Sequence, residues 1–385
     1  MTGDPPKLLT PGPTSVPPAV LEALARPVLH HRGGDFKALF VETLERLRAV
    51  FRTEGDVLLL TASGTGAFES AIVNVHSAGE RVLVVSCGEF GERWQKLCAA
   101  HGLDVVPLRH EWGTVPQPHS VASAIAEHGP SSVVLVHSET STGVVIDLEP
   151  MLTVCRDAGV LTIVDAISSL GAVPLETQAW GADVVVTGSQ KALMTPPGLS
   201  FVAISGAAWV RAEHARLPRF YFDWGLARAA QEKGSTAFTP ATSTVAALHA
   251  ALGVLLGDGL ERAFERHRAH GRACRAGVGA MGLALYSPDD DSSAVLTGAL
   301  TPEGVPAPRL RAALREKHGL EIAGGHGEIA DRLFRIGHIG YVSEDDIVRC
   351  VAAIGSEINA LGGAVDQAAA GAAARAAYGD PVPAA

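Results

Sequence analysis

The sequence predicts an α/β protein: a large domain built on a mostly parallel sheet, followed by a smaller C-terminal α/β domain. Three observations carry this. Short runs rich in Val, Ile and Leu alternate with helix-length amphipathic stretches over the first 250 residues, the rhythm of βαβ units. Those runs are apolar throughout rather than at every second position, as strands covered on both faces require; Asp183–Thr187, within ADVVVTGSQK, is the clearest. After Ala250 the rhythm gives way to a long helical stretch and a second, shorter set of strands and helices. The expected organisation is an N-terminal arm over 1–18, a large domain over 19–250, a small domain over 251–362 and an alanine-rich tail over 363–385.

Composition narrows the class. An apolar fraction of 47% with 19% charged residues describes a globular chain, and no window reaches the roughly 18 uninterrupted apolar residues of a membrane span. The net charge of −10 argues against a nucleic-acid or anionic-membrane surface. MTGDPPKLLTPGPT at the start has neither a basic segment nor an apolar signal core, so a cytoplasmic location is expected. Five scattered cysteines, Cys87, Cys98, Cys155, Cys274 and Cys350, predict reduced thiols and no zinc site.

In chain order, the proline-rich arm cannot be helical. A helix can begin over Pro18–Ala25, and Asp35–Phe51 forms a longer one, because Phe36, Leu39, Phe40, Leu44, Leu47 and Phe51 recur at helical spacing. Val57–Leu60 is a strand running into the turn TASGTG, after which Ala67–Val75 is helical. Further strands are expected at Arg81–Ser86, Asp104–Leu108, Ser132–His137, Leu161–Asp165, Asp183–Thr187 and Leu199–Ile204, with helices at Gly91–His101, Ser120–His128 and Leu148–Ala158. One helical segment is expected over Leu252–Met281. Beyond it come strands near Ala294–Leu300 and Leu333–Ile336, and helices at Ala307–His318 and Ser343–Leu361. Fraying or disorder is the expectation for the tail, and His30, His31, His267 and His270 are expected at the surface.

Unusual residues fall where these strands end. The turn Ser63–Gly64–Thr65 opens a helix and so offers free N–H groups and a positive dipole end to a phosphate, or is a plain strand-to-helix turn. Asp165 closes the run LTIVD; buried unpaired it would cost several kcal/mol, so it meets a cation or donor, or caps the following turn. Lys191 lies just past a strand, at the sheet rim where α/β proteins bind ligands, and taken alone reads equally as a solvated charge. Phe90 and Thr140 follow two further strands. A phosphate on the turn, an aromatic plane on Phe90, a protonated ring nitrogen opposite Asp165 and an aldehyde within reach of Lys191 together describe pyridoxal phosphate.

Seven blocks deepen this reading: LLTPGPT at 8–14, SGTGAFESAIVNV at 63–75, CGEFGERW at 87–94, HSETSTG at 137–143, VDAISSLG at 164–171, GSQKALMTPPG at 188–198 and FRIGHIG at 334–340. In this order they resemble the class V branch of the fold-type I pyridoxal-phosphate aminotransferases, of the alanine-glyoxylate and serine-glyoxylate (serine-pyruvate) type. The resemblance implies that Lys191 binds the cofactor aldehyde and shuttles the substrate proton, and that Asp165 pairs with the ring nitrogen. It implies that Ile167 and Phe90 cover the two ring faces, although many relatives carry a larger aromatic such as Trp at the Phe90 position. It implies that Thr140, where some relatives use Ser, bonds the ring hydroxyl. Ser63, Gly64, Thr65 and Gln190 are implied to hold the phosphate, with Thr236 and Thr239 reaching it from the neighbouring subunit of a homodimer. Arg335 is implied to take the substrate carboxylate and Gly12 to line the substrate site; His338 has no implied role.

The resulting expectation is a ping-pong transaminase moving an amino group from alanine or serine to glyoxylate or pyruvate. A 2-aminoethylphosphonate–pyruvate aminotransferase is the alternative, since its anion-binding arginine would look the same. A cysteine desulfurase is disfavoured because Cys274 and Cys350 fall in predicted helices rather than a mobile loop. A catalytically idle subunit of a larger assembly would have no need of Lys191, Asp165 and Arg335 together.

Overall fold

The computed structural model describes residues 5–288 and 293–379. Strands in chain order are β1 (Lys7–Leu9), β2 (Asp56–Leu60), β3 (Arg81–Ser86), β4 (Asp104–Arg109), β5 (Ser132–Val136), β6 (Ser138–Glu139), β7 (Val144–Val145), β8 (Leu161–Asp165), β9 (Val184–Gly188), β10 (Ser200–Ile204), β11 (Leu296–Leu300), β12 (Leu320–Gly324) and β13 (Leu333–Gly337). Helices are α1 (Pro18–Leu24), α2 (Gly34–Phe51), α3 (Gly64–Val75), α4 (Glu89–Ala100), α5 (Pro118–His128), α6 (Leu148–Asp157), α7 (Gly206–His214), α8 (Trp224–Gln231), α9 (Thr242–Gly257), α10 (Leu260–Ala280), α11 (Ala307–His318), α12 (Glu344–Ala360) and α13 (Gln367–Ala376).

The larger sheet has the order β2-β10-β9-β8-β5-β3-β4. Its strands bury both faces by simple alternation. Leu83, Val85, Val133, Leu135, Val164 and Val185 enter one core, while Val82, Val84, Val134, Val136, Ile163 and Val184 enter the other. Each such side chain contributes about 1.5–3 kcal/mol, which is why these segments read as continuous apolar runs. Only β10 is antiparallel to its neighbours β9 and β2. The connection from Gly188 to Ser200 explains it, being too short for the crossover of a dozen or more residues that a parallel return needs. That same connection carries Lys191, which therefore stays at the rim where β9 ends. Strand order reverses between β3 and β5, and a crevice at such a reversal is the usual ligand position in open α/β sheets.

A second sheet, β1-β12-β13-β11, lies over α10–α13 with Leu9, Leu320, Phe334 and Ile336 in its core. The arm is thus a strand of this sheet, with Lys7–Leu9 parallel to Leu320–Ile322. Neither β1 nor β12 is apparent in the sequence. One is three residues long, and the other follows directly on the left-handed Gly319 that ends α11.

Three expectations are corrected. The helical segment expected over Leu252–Met281 is two helices bent by 84° at the break between Gly257 and Leu260; Gly259 supplies the positive φ of 84° there. The tail does not fray over its described part. Asp366 accepts from Ala369 N at 2.9 Å to cap α13, and Ala370 and Ala374 are fully buried against Gly277 of α10, where an added Cβ would stand 2.9 Å from the Ala370 carbonyl. Alanine here is a close-packing residue; 380–385 lie outside the described residues. His267 and His270 are buried, not at the surface. His267 receives Gly340 N at 3.0 Å and lies 2.6 Å from Ala263 O, and His270 bridges Tyr378 Oη at 2.8 Å and Val342 O at 3.1 Å.

These buried imidazoles make stability acid-sensitive. Burial holds His267 down to about 3 and His76, His137 and His270 down to about 4, with His338 lowered as well. An unfolded chain takes up protons on these groups near 6.5 while the folded chain does not, so stability falls as pH drops from that value toward 4, by roughly 2–3 kcal/mol for each. Asp165 and Glu139, raised by burial, run the opposite way and offset part of the loss. The cofactor-free protein is expected to melt at least about 10 °C lower at pH 4.5 than at pH 7; equal melting temperatures would contradict the account. No single helix among the described residues is long and apolar enough to cross a membrane.

Candidate active site

A cavity of about 190 Å³ opens at the carboxyl ends of the large sheet and is lined by eight of the residues singled out from sequence: Ser63, Gly64, Thr65, Phe90, Asp165, Ile167, Gln190 and Lys191. Asp165 ends β8 and is 5% exposed. Its Oδ1 accepts from Ile167 N at 2.9 Å and its Oδ2 from Trp94 Nε1 at 3.3 Å, and Trp94 is itself stacked on Phe68 with ring centroids 3.9 Å apart. Two donors do not repay burial, which pushes the carboxyl up to about 7. The site therefore holds an acid that a cation opposite would ionise.

Lys191 is the nearest such cation, and its amine is held by the arm. Nζ donates to Pro11 O at 2.7 Å, Thr14 N donates to Gln190 O at 3.1 Å, and Thr14 Oγ1 donates to Lys191 O at 3.0 Å. Gly12 runs past the lysine at φ 140°, and a Cβ there would stand 2.3 Å from Nζ, so glycine is required by space as well as by backbone conformation. Burial lowers the amine to about 8, with Arg335 and Arg93 adding to the effect and Asp165 opposing it.

The opposite end of the cavity is built for an anion. The Ser63 side chain makes no capping hydrogen bond to α3, which leaves its hydroxyl and the first N–H groups of the helix available at the cavity that Ser63, Gly64 and Thr65 line. Gly64 packs on Ile167; a Cβ would lie 2.4 Å from Cδ1. Gln190 Oε1 is buried without a hydrogen-bond partner among the described residues, the mark of a polar atom meant to face a bound molecule. An anion-receiving helix start, an orphaned amide, a buried unpaired acid and a low-pKa lysine fit the phosphate, polar edge, protonated ring nitrogen and aldehyde of pyridoxal phosphate.

Arg335, on β13 of the small sheet, is outside that cavity lining but near enough to Lys191 to help lower its amine. It is 6% exposed and its guanidinium meets three neutral acceptors: Nε donates to Gly324 O at 2.7 Å, Nη1 to Thr140 O at 2.6 Å and Nη2 to His326 Nε2 at 3.0 Å. No carboxylate pairs with it among the described residues, and burial lowers it to about 10. Thr140 is buried outside the cavity lining and meets this network through its carbonyl. Thr236 and Thr239 do not join the cavity at all. They line a separate shallow pocket with Tyr221 and Phe238, beside the 74% exposed Phe220. His338 is buried between Thr297 Oγ1 at 3.1 Å and Ala294 O at 2.8 Å.

Four further residues shape the site. Trp94 holds Asp165, as above. Arg93 lines the cavity with its guanidinium 4.8 Å from the Phe90 ring centre. His326 holds Arg335. Glu139 is fully enclosed at the start of α4, where its carboxylate accepts from Phe90 N at 3.0 Å, Gly91 N at 3.1 Å, Ser141 N at 3.1 Å and Ser141 Oγ at 2.6 Å. A carboxylate at a helix N-terminus is favoured by the dipole, and it fixes the turn that presents Phe90. An acid inside HSETSTG was the available signal for Glu139; His326 has no local pattern to mark it.

Sheet rim, buried lysine and buried aspartate define a pyridoxal-phosphate enzyme of fold type I. Residues 8–339 match the aminotransferase class-V family, and the chain belongs to it; its cofactor is pyridoxal phosphate. The chain is 41% identical to the soluble hydrogenase 42 kDa subunit of Anabaena cylindrica, over 90% of this chain and 91% of that one. It is 35% identical to the serine–glyoxylate aminotransferase of Methylorubrum extorquens, over 92% and 90%. Among solved structures, ureidoglycine-glyoxylate aminotransferase from Bacillus subtilis superposes with a TM-score of 0.94 at 29% identity, over 98% of this chain and 99% of that one.

Proposed function

We propose that the protein is a transaminase that carries an amino group from a small amino acid, alanine or serine, to glyoxylate or pyruvate by a ping-pong route. The observation that carries this is Arg335, a buried guanidinium beside Lys191 whose partners are all neutral. A buried cation left without a counter-ion is costly, and the carboxylate of an α-amino acid or 2-oxo acid supplies one. The acceptor is suggested by the relatives, one a serine–glyoxylate and one a ureidoglycine-glyoxylate enzyme.

The residues divide the work. When bound, the cofactor supplies an electron sink for the charge that develops at the substrate α-carbon. Asp165 would face the ring nitrogen and keep it protonated, and Trp94 and the Ile167 amide fix its carboxylate. Ile167 and Phe90 would cover the ring faces, and Thr140, buried outside the cavity lining, is the residue proposed to bond the ring hydroxyl. Ser63, Gly64, Thr65 and Gln190, which line the same cavity, would hold the phosphate. Lys191, with its amine at about 8, is poised to take a proton from the α-carbon and return it, since a general base works best with a pKa near the working pH. Gly12 leaves room for this amine and for the substrate. Thr236 and Thr239 serve the partner subunit's cofactor in a two-fold dimer, the arrangement that accounts for their distance from this chain's own cavity and for the exposed aromatics around them. The location proposed is the cytoplasm.

The relative named as a hydrogenase subunit favours a second reading, a structural role in a larger assembly. The retained set of Lys191, Asp165 and Arg335 supports the transaminase instead. Mixing the cofactor-loaded protein separately with alanine, serine and 2-aminoethylphosphonate decides among these readings. Loss of the visible cofactor absorption with alanine or serine, with stoichiometric 2-oxo acid, is the expected result. Bleaching by 2-aminoethylphosphonate alone would transfer the assignment to a phosphonate donor, and bleaching by none of the three would sink the reading.

A further inference from the structure

Arg335 carries five N–H groups, and three are taken by the protein. Nε–H is spent on Gly324 O, one Nη1–H on Thr140 O and one Nη2–H on His326 Nε2. What remains is one N–H on each terminal nitrogen, the pair that a carboxylate grips with both oxygens. Two of the three fixed contacts are backbone carbonyls and cannot change. The third is an imidazole, and it accepts only while Nε2 is unprotonated.

His326 is half-buried in the turn after β12. It meets Phe90 edge-on, with centroids 6.2 Å apart. The charged groups facing it are Arg335 from β13 and Arg93 and Glu89 from α4; those facing Arg335 in turn are Glu139, Arg311 and Lys191. Burial lowers the proton affinity of the imidazole first, and Arg335 and Arg93, opposed by Glu89, add to it. In acid the ring gains its second proton, becomes a donor at both nitrogens, and sets a cation against Arg335 Nη2. The guanidinium then has no third anchor and is free to turn in its plane.

We propose that His326 is a positioning residue that aligns Arg335 for the substrate carboxylate and makes carboxylate binding weaken in acid. The inference rests on the reading of Arg335 given above. His326 is absent from the residues lining the cofactor cavity and meets that lining only at the edge of Phe90, so cofactor affinity is measured beside carboxylate binding.

The test compares wild type, His326→Ala, His326→Gln and Arg335→Ala between pH 5.5 and 8.5. It measures the KM for alanine, the inhibition constant of propionate (a carboxylate with no amine to react) and cofactor affinity by visible titration. Wild type is expected to bind propionate less tightly as pH falls below the ordinary imidazole range. His326→Ala weakens propionate and raises the alanine KM about tenfold at pH 8, the loss of one charge-assisted hydrogen bond, while kcat and cofactor affinity hold. His326→Gln keeps an acceptor oxygen, recovers most of the affinity and loses the acid dependence. Unchanged propionate binding in His326→Ala, or the same acid dependence in His326→Gln as in wild type, overturns the inference. If Arg335→Ala also leaves propionate and alanine unaffected, the carboxylate reading fails and takes the inference with it, so the two failures are told apart.

Discussion

Lys191→Ala is expected to give a protein without the visible absorption of a lysine-bound cofactor and with turnover reduced by about 10⁴-fold or more, the upper range for removing a positioned acid–base group. The magnitude follows from the site: Nζ sits between the buried Asp165 and the arm, and its amine is already lowered to about 8, where it can exchange protons near neutral pH. The cavity walls do not depend on it, so the variant should fold and melt near the wild type. The same variant tests the shared site. Mixed and reassociated with a Thr236→Ala/Thr239→Ala double variant, half of the dimers pair one chain of each kind. Each mixed dimer has one site with both an intact lysine and intact threonines, so about a quarter of wild-type activity should return if the subunits share their sites. No recovery on mixing, or an active monomer by light scattering, would refute the sharing. A yellow Lys191→Ala protein would refute the role of the lysine.

What was legible in the sequence, and what was not, divides along a physical line. The large sheet was legible because strands covered on both faces have to be apolar throughout; Val82–Val85 and Val133–Val136 can be little else. The cofactor end was legible because chemistry-bearing residues follow those strands immediately, as Asp165 does β8 and Lys191 does β9, so that locating the strand locates the rim. The rest depends on contacts between segments far apart in the chain. The arm joins β12 more than three hundred residues later, a pairing that three residues cannot announce. His326 has meaning only once β12 and β13 turn it toward Arg335. Thr140 could be expected in the site, but the direction in which its carbonyl points is fixed by Glu139 and Ser141 on either side gripping α4. The alanine-rich tail misled for the same reason: small side chains look unable to pack until Gly277 is seen to offer a surface that only small side chains can approach.

Arg335→Ala is expected to lower kcat/KM for alanine by about 10²- to 10³-fold, chiefly through KM, while leaving the cofactor's visible spectrum in place. Removing one partner of a buried, hydrogen-bonded charge pair costs about 2–5 kcal/mol, and here the partner is the substrate. Arg335→Lys should recover little of the loss. A lysine offers a point charge with three donors and no planar fork, and the three acceptors around this position, Gly324 O, Thr140 O and His326 Nε2, are arranged around a guanidinium. An ammonium that satisfies them has nothing left for a carboxylate; one that turns to the substrate leaves two buried carbonyls unpaired. Because Arg335 is lowered only to about 10, it stays charged through the working range and is not itself the source of an acid dependence; the part of that dependence that His326 carries should vanish with the arginine. Steady-state kinetics of both variants with alanine at pH 5.5 and pH 8.5 check this. An unchanged rate constant in Arg335→Ala, or full activity in Arg335→Lys, would mean that the carboxylate is received elsewhere.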